Sequence, residues 1–163
     1  RVSIAKLFSF FFSLTPVILL TSEVRTNVIG EMMSEGIANY IVKPVSPKEL
    51  SSKIHQAFGT VPDPDTLEPI DVLLIDDMPA VHAKFKALLP QHIRVTSAEG
   101  ESPALVQVSQ ESFHVIIVDM EMPNTDTAAL VQKLKDKAED EKDEEEVYNL
   151  VSDELRSQSD DGK

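Results

Sequence analysis

The sequence predicts an α/β fold, a doubly wound parallel sheet of five strands with helices on both faces, and three observations carry that prediction. Five short runs read as strands, Val17 to Thr21, Ala38 to Val42, Asp71 to Ile75, Ile93 to Ser97 and Val115 to Val118, and the first, third and fifth are nearly continuous apolar runs, the pattern of strands buried on both faces. Between them lie segments whose apolar residues recur at three and four, the spacing of an amphipathic helix. Strand and helix alternate along the chain, which indicates right-handed crossover units on a parallel sheet.

Taken in order, residues 2–14 place Val2, Ala5, Phe8 and Phe12 at helical spacing. Thr15-Pro16 ends that helix, because the residue before proline is pushed out of the α region. After the first strand, Ser22 or Thr26 is expected to cap a helix of about a dozen residues that carries Val28, Ile29, Met32 and Met33 and stops at Gly36. Following the second strand, Ser46 reads as a cap, Pro47 as the first helical residue and Glu49 as the partner of a capping box, with Leu50, Ile54 and Phe58 facing inward. Residues 59–69 hold three prolines and no periodicity, so they form an extended connector. Beyond it, Pro79 to Leu89 is a helix with Val81, Phe85, Leu88 and Leu89 inward, residues 102–110 form another, and Thr127 to Leu134 a last one with Ala128, Leu130, Val131 and Leu134.

Composition bounds the rest. At 163 residues and 42% apolar content the chain supports one ordinary core. Its net charge of -13 is concentrated at one end, since residues 136–163 hold 12 acidic and 4 basic residues. No stripe of clustered lysine and arginine is present, so nucleic-acid binding is not expected. The absence of cysteine excludes disulfide frameworks and thiolate metal sites. The apolar run from Leu7 to Leu20 is shorter than the roughly 18 to 20 residues of a span, Pro16 interrupts it, and no small-residue cleavage pattern follows. Neither membrane insertion nor export is expected, and a cytoplasmic location is. His55, His82, His92 and His114 fall on different elements and are expected to be incidental.

In a doubly wound sheet the ligand sits beyond the carboxyl ends of the strands, so the residues leaving those ends are read as a site. They are Thr21, Lys43, Asp76, Asp77 and Asp119. Adjacent acids at the end of a buried strand repel one another unless a cation compensates them, and an oxygen-only set suits a hard ion such as magnesium. Glu121 is placed to add its backbone carbonyl. Alone, Asp76-Asp77 would read as a helix cap after a strand; Asp119 and Lys43 in equivalent positions argue for a site.

The motifs Asp-Val-Leu-Leu-Ile-Asp-Asp (71 to 77), Val-Ile-Ile-Val-Asp-Met-Glu-Met-Pro (115 to 123), Pro-Val-Ile-Leu-Leu-Thr-Ser (16 to 22) and Tyr-Ile-Val-Lys-Pro (40 to 44) together resemble the receiver domain of two-component response regulators. The resemblance covers residues 2 to 134 and implies the flavodoxin-like receiver fold. By position, Asp119 is similar to the phosphorylated aspartate, Asp76 and Asp77 to the acid pair that holds Mg2+, and Lys43 to the lysine that pairs with the phosphoaspartate. Thr21 resembles the hydroxyl that contacts the phosphoryl group and Tyr40 the aromatic switch. Pro44 resembles the proline expected to follow a cis peptide. The family implies a histidine kinase or phosphotransfer protein as partner, and self-phosphorylation and autodephosphorylation rather than turnover as an enzyme. Where the family has glycine, this chain has Thr127, so the turn near Glu121 and Asn124 is expected to differ.

The order of these motifs is the larger departure, because a receiver runs from the acid pair to the lysine and here the last two strands come first. Residues 1–58 resemble the C-terminal half of one receiver, 59–69 a linker, 70–135 the N-terminal half of a receiver, and 136–163 an acidic tail. Residues 2–14 and 127–134 both resemble the third helix, and this duplication favours an origin as a piece of a tandem array. The halves are expected to assemble within one chain as a permuted receiver, with exchange between two chains as a domain-swapped homodimer as the alternative. In the tail, Val147, Leu150, Val151 and Leu155 recur at helical spacing. Two other functions remain from the residues: a non-phosphorylated receiver-like interaction scaffold, and an unrelated phosphate-ester hydrolase. The hydrolase lacks the aspartate it needs two residues after the nucleophile, since Glu121 stands there.

Overall fold

The computed structural model describes residues 15–22, 24–59 and 68–137. The helix expected over 2–14, residues 60–67 of the connector and the tail beyond 137 lie outside the described residues. Five strands form one parallel sheet: β1 (Val17–Thr21), β2 (Asn39–Val42), β3 (Ile70–Ile75), β4 (Ile93–Ala98) and β5 (Val115–Asp119), in the spatial order β2-β1-β5-β3-β4. The helices are α1 (Thr26–Ser34), α2 (Pro47–Phe58), α3 (Pro79–Leu88), α4 (Glu101–Gln110) and α5 (127–137).

The sheet is buried on both faces because alternate residues of each central strand enter two different cores. Val17, Leu19, Leu73, Ile75, Ile116 and Val118 pack with Ala104 and Val108 of α4 and Leu130, Val131 and Leu134 of α5. Ile18, Leu20, Val72, Leu74 and Ile117 face the other way, onto Leu50 and Ile54 of α2 and Phe85 of α3. The uninterrupted apolar runs are therefore two interleaved stripes, one for each layer.

Local signals act mostly as anticipated. Ser46 accepts the Glu49 N–H at 3.2 Å, Pro47 opens α2, and Gly59 closes it in the left-handed region. The start of α1 differs. Arg25 occupies the cap position with no side-chain cap, Thr26 is the first helical residue, and α1 has nine residues. Ser22 is instead committed to Glu121, as described below. Thr127 fits without left-handed backbone because the positive φ falls on Asn124, at 56°. Its hydroxyl donates to the Met120 carbonyl at 3.2 Å, while Asp126 caps the helix through the Ala129 N–H at 3.1 Å.

Candidate functional site

The two central strands, β1 and β5, run side by side with Leu20 opposite Asp119, so Thr21 and Asp119 leave the sheet together. β3 lies on the other flank of β5 with Ile75 opposite Val118, which brings Asp76 to the same edge. On the far side of β1, the Lys43 N–H donates to the Thr21 carbonyl at 2.8 Å, setting the lysine one strand away from Asp119. The sheet thus gathers Thr21, Lys43, Asp76, Asp77 and Asp119 at one rim, although the first two and the last three are separated by the connector. The Lys43–Pro44 peptide is cis, as the resemblance implied.

Carboxylate oxygens of Asp76, Asp77 and Asp119 lie within 4.8 Å of one another, Asp76 and Asp119 buried and Asp77 exposed. Asp76 accepts the Met78 N–H through Oδ1 at 2.8 Å, while its Oδ2 is buried with no hydrogen-bond partner. Burial raises the Asp76 pKa above the usual carboxylate value, Asp119 adds to the rise, and the Met78 N–H, Lys43 and His82 oppose it. A buried oxygen without a donor, in a set of oxygen ligands carrying surplus negative charge, fits a hard divalent cation such as magnesium.

Lys43 Nζ lies 3.0 Å from Asp119 Oδ1 and 3.4 Å from Glu121 Oε2. Burial works against its charge, but the hydrogen bond and charge of Asp119, reinforced by Glu121, outweigh that and hold the ammonium pKa above its ordinary value. Glu121 brings its side chain as well as its backbone into the site. Oε1 accepts the Ser22 N–H at 3.0 Å and Oε2 the Ser22 hydroxyl at 3.0 Å, while the Glu121 N–H donates to Asp119 Oδ1 at 3.2 Å. Partial burial would raise its pKa, yet the two Ser22 bonds and Lys43 prevail and lower it.

Tyr40 stands one strand away from the acids, half-buried, and lines a small apolar pocket with Thr21, Ile29, Met33 and Met120. Lys53 Nζ lies 4.8 Å from the centre of its ring and also bonds the Tyr40 carbonyl.

Two contacts of the histidines go beyond what their spacing indicated. His82 is buried beneath the site, its Nε2 donating to the Asp76 carbonyl at 2.7 Å. The spacing of 82, 85 and 89 along one helical face was the available signal. His55 and His92 meet with their Nε2 atoms 3.0 Å apart, because the end of α2 and the turn before β4 converge at the amino end of the sheet. Among the described residues no third metal-ligating side chain joins them, and the acid trio is the only group of three or more.

Residues 72–144 match a family model, that of the response regulator receiver domain. The match contains Asp76, Asp77, Asp119 and Glu121, and it begins after Thr21 and Lys43. No curated protein and no solved structure matches the chain.

Proposed function

We propose, from the match of residues 72–144 to the response regulator receiver domain model, that the sheet and its acid rim form one phosphoaccepting receiver module. The observation that carries the reading is the acid cluster, Asp76 and Asp119 buried and Asp77 exposed, met by Lys43 at 3.0 Å from Asp119. Asp119 is the nucleophile. Its carboxylate oxygen attacks the phosphorus of a phosphohistidine on a histidine kinase or phosphotransfer protein. The new P–O bond forms as the P–N bond breaks, and the departing imidazole nitrogen keeps the bonding pair. Lys43 shifts from the free carboxylate to the transferred oxygens and stabilises their charge where it develops. Asp76, Asp77 and Asp119, with the Glu121 carbonyl, would hold magnesium, which when bound neutralises charge on the phosphoryl oxygens. The chain modifies itself and turns over no external substrate as an enzyme.

The pocket shared by Thr21 and Tyr40 supports a switching role for both. Thr21 is drawn toward the new phosphoryl group, the aromatic ring follows, and the surface built from residues 24–58 changes, a two-state element biased by one added charge. Residues 1–58 supply the C-terminal half of the receiver, 59–69 the linker, 70–135 the N-terminal half and 136–163 an acidic tail, with the order permuted. Support for that division is the strand order, which seats β1 and β2 beside β5. A kinase partner places the module in the cytoplasm.

The test is magnesium-dependent labelling by acetyl phosphate, with the oligomeric state recorded alongside. Labelling is expected in the wild-type chain and absent in Asp119→Asn. A folded protein that is not labelled would instead favour the interaction scaffold.

A further inference from the structure

Three donors surround the space next to Asp119 on the side of β1: the Ser22 N–H, the Ser22 hydroxyl and the Lys43 ammonium. In this structure all three reach one carboxylate, that of Glu121, at 3.0, 3.0 and 3.4 Å, Lys43 dividing itself between Glu121 and Asp119 Oδ1 at 3.0 Å. A backbone N–H, a hydroxyl and an ammonium converging on one place make an anion seat, since each offers a proton to negative oxygen and the lysine adds charge. The carboxylate filling it is tethered, two residues from Asp119, whose Oδ1 receives the Glu121 N–H at 3.2 Å.

We propose that Glu121 is a built-in occupant of the phosphoryl seat, an internal anion that must be displaced before a phosphoryl group on Asp119 can take the Ser22 and Lys43 donors. This rests on the receiver reading and adds a rate-setting residue to it. With acetyl phosphate, an Asp119 oxygen forms the new P–O bond as acetate leaves with the electrons of the old one. The incoming oxygens then need the donors that Glu121 holds, and two anions compete for one lysine. Exchange of the tethered carboxylate for phosphoryl oxygens therefore opposes the reaction by the strength of its charge-assisted bonds. Glu121 is in this sense a positioning residue, acting on Lys43 and Ser22 rather than on the phosphorus.

Two substitutions separate occupancy from charge. Glu121→Gln keeps the length but loses the charge that Lys43 attracts; Glu121→Asp keeps the charge but is one methylene short of Ser22 and Lys43. Labelling by acetyl phosphate is expected to run about tenfold faster in Glu121→Gln, the effect of one weakened charge-assisted bond, and to rise by a smaller factor in Glu121→Asp. As a readout independent of chemistry, trifluoroberyllate with magnesium should raise the thermal midpoint more in both variants than in the wild type. Unchanged rates and midpoint shifts in both variants, with wild-type labelling still lost in Asp119→Asn, would overturn the proposal and leave the receiver reading standing. A gain in Glu121→Gln without one in Glu121→Asp would overturn it too, because charge alone would then explain the effect. No labelling of any variant would remove the receiver reading and this inference with it.

Discussion

The two ends of the sheet treat charge in opposite ways. At the amino end Asp71 and Lys135 each have an answer. Asp71 takes a two-pronged bond from Arg94 at 2.7 and 2.8 Å, and its N–H donates to His114 Nδ1 at 2.9 Å. Lys135, only 9% exposed, donates to the carbonyls of Glu35 and Gly36 at 3.3 and 2.7 Å where α1 ends. Arg94 keeps its proton more firmly than usual because of the Asp71 hydrogen bond. At the carboxyl end three carboxylates gather, Lys43 bonds Asp119 and Glu121, and Asp76 Oδ2 has no donor. A buried acid oxygen without a donor calls for a functional explanation, and the amino end shows that this chain satisfies its charges elsewhere.

Neutralising the unbalanced end should give the largest effect. Asp76→Asn keeps the bond from the Met78 N–H, offers an amide N–H toward Asp119 and removes a charge that burial disfavours. It is expected to stabilise the magnesium-free protein by roughly 1–2 kcal/mol, the scale seen when buried charge is replaced by neutral groups. It should also abolish the rise in stability with magnesium that the proposed ion site predicts for the wild type. Urea unfolding with and without magnesium measures both, and a variant less stable than wild type without the ion would erase the contrast between the ends.

At the amino end, disturbing a satisfied contact should destabilise. Gly36 has φ 87°, and an added Cβ would lie 2.5 Å from Lys135 Nζ. Gly36→Ala is expected to lower stability by roughly 1–2 kcal/mol for the left-handed backbone, with Lys135 also losing part of its grip on the end of α1. The urea midpoint should fall equally with and without magnesium. An effect that depended on magnesium would show that the ends are coupled.

The smallest effect concerns His55. Burial, and then the neighbouring His92, lower its pKa below the ordinary 6.5. The unfolded chain therefore takes up a proton that the folded one resists, and unfolding is favoured as pH falls below 6.5. This contribution is fully present above pH 6.5 and is lost as the pH drops toward the folded value. Comparing urea midpoints at pH 7.5 and 5.5, His55→Gln should show a smaller decline than the wild type. Equal declines would mean that the pair is indifferent to pH.

How much of this could be read from the letters follows from the range of each interaction. Strands and helices were legible because their signals are local: the apolar runs ending at Thr21, Ile75 and Asp119, the Ser46-Pro47 start, the Gly36 stop. The rim residues were legible because a strand end delivers its next residue to the rim whatever the partners are. What was missed depends on pairs far apart in the chain. Ser22 looked like a helix cap, since its contact with Glu121 spans 99 residues and appears only when β1 lies against β5. The His55–His92 meeting likewise needs α2 and β4 docked at the same end of the sheet.

The pairing of β1 with β5 has one more consequence. The hydroxyls and the ammonium of the rim come from residues 21 to 43, and the acids from residues 76 to 121, so a cut between Gly59 and Glu68 would divide the chemistry as well as the chain. One fragment would carry the donors, the other the acids. If the proposed function holds, phosphoryl uptake would then report the meeting of two separate polypeptides, which makes this arrangement a natural template for a split sensor whose output is a covalent mark.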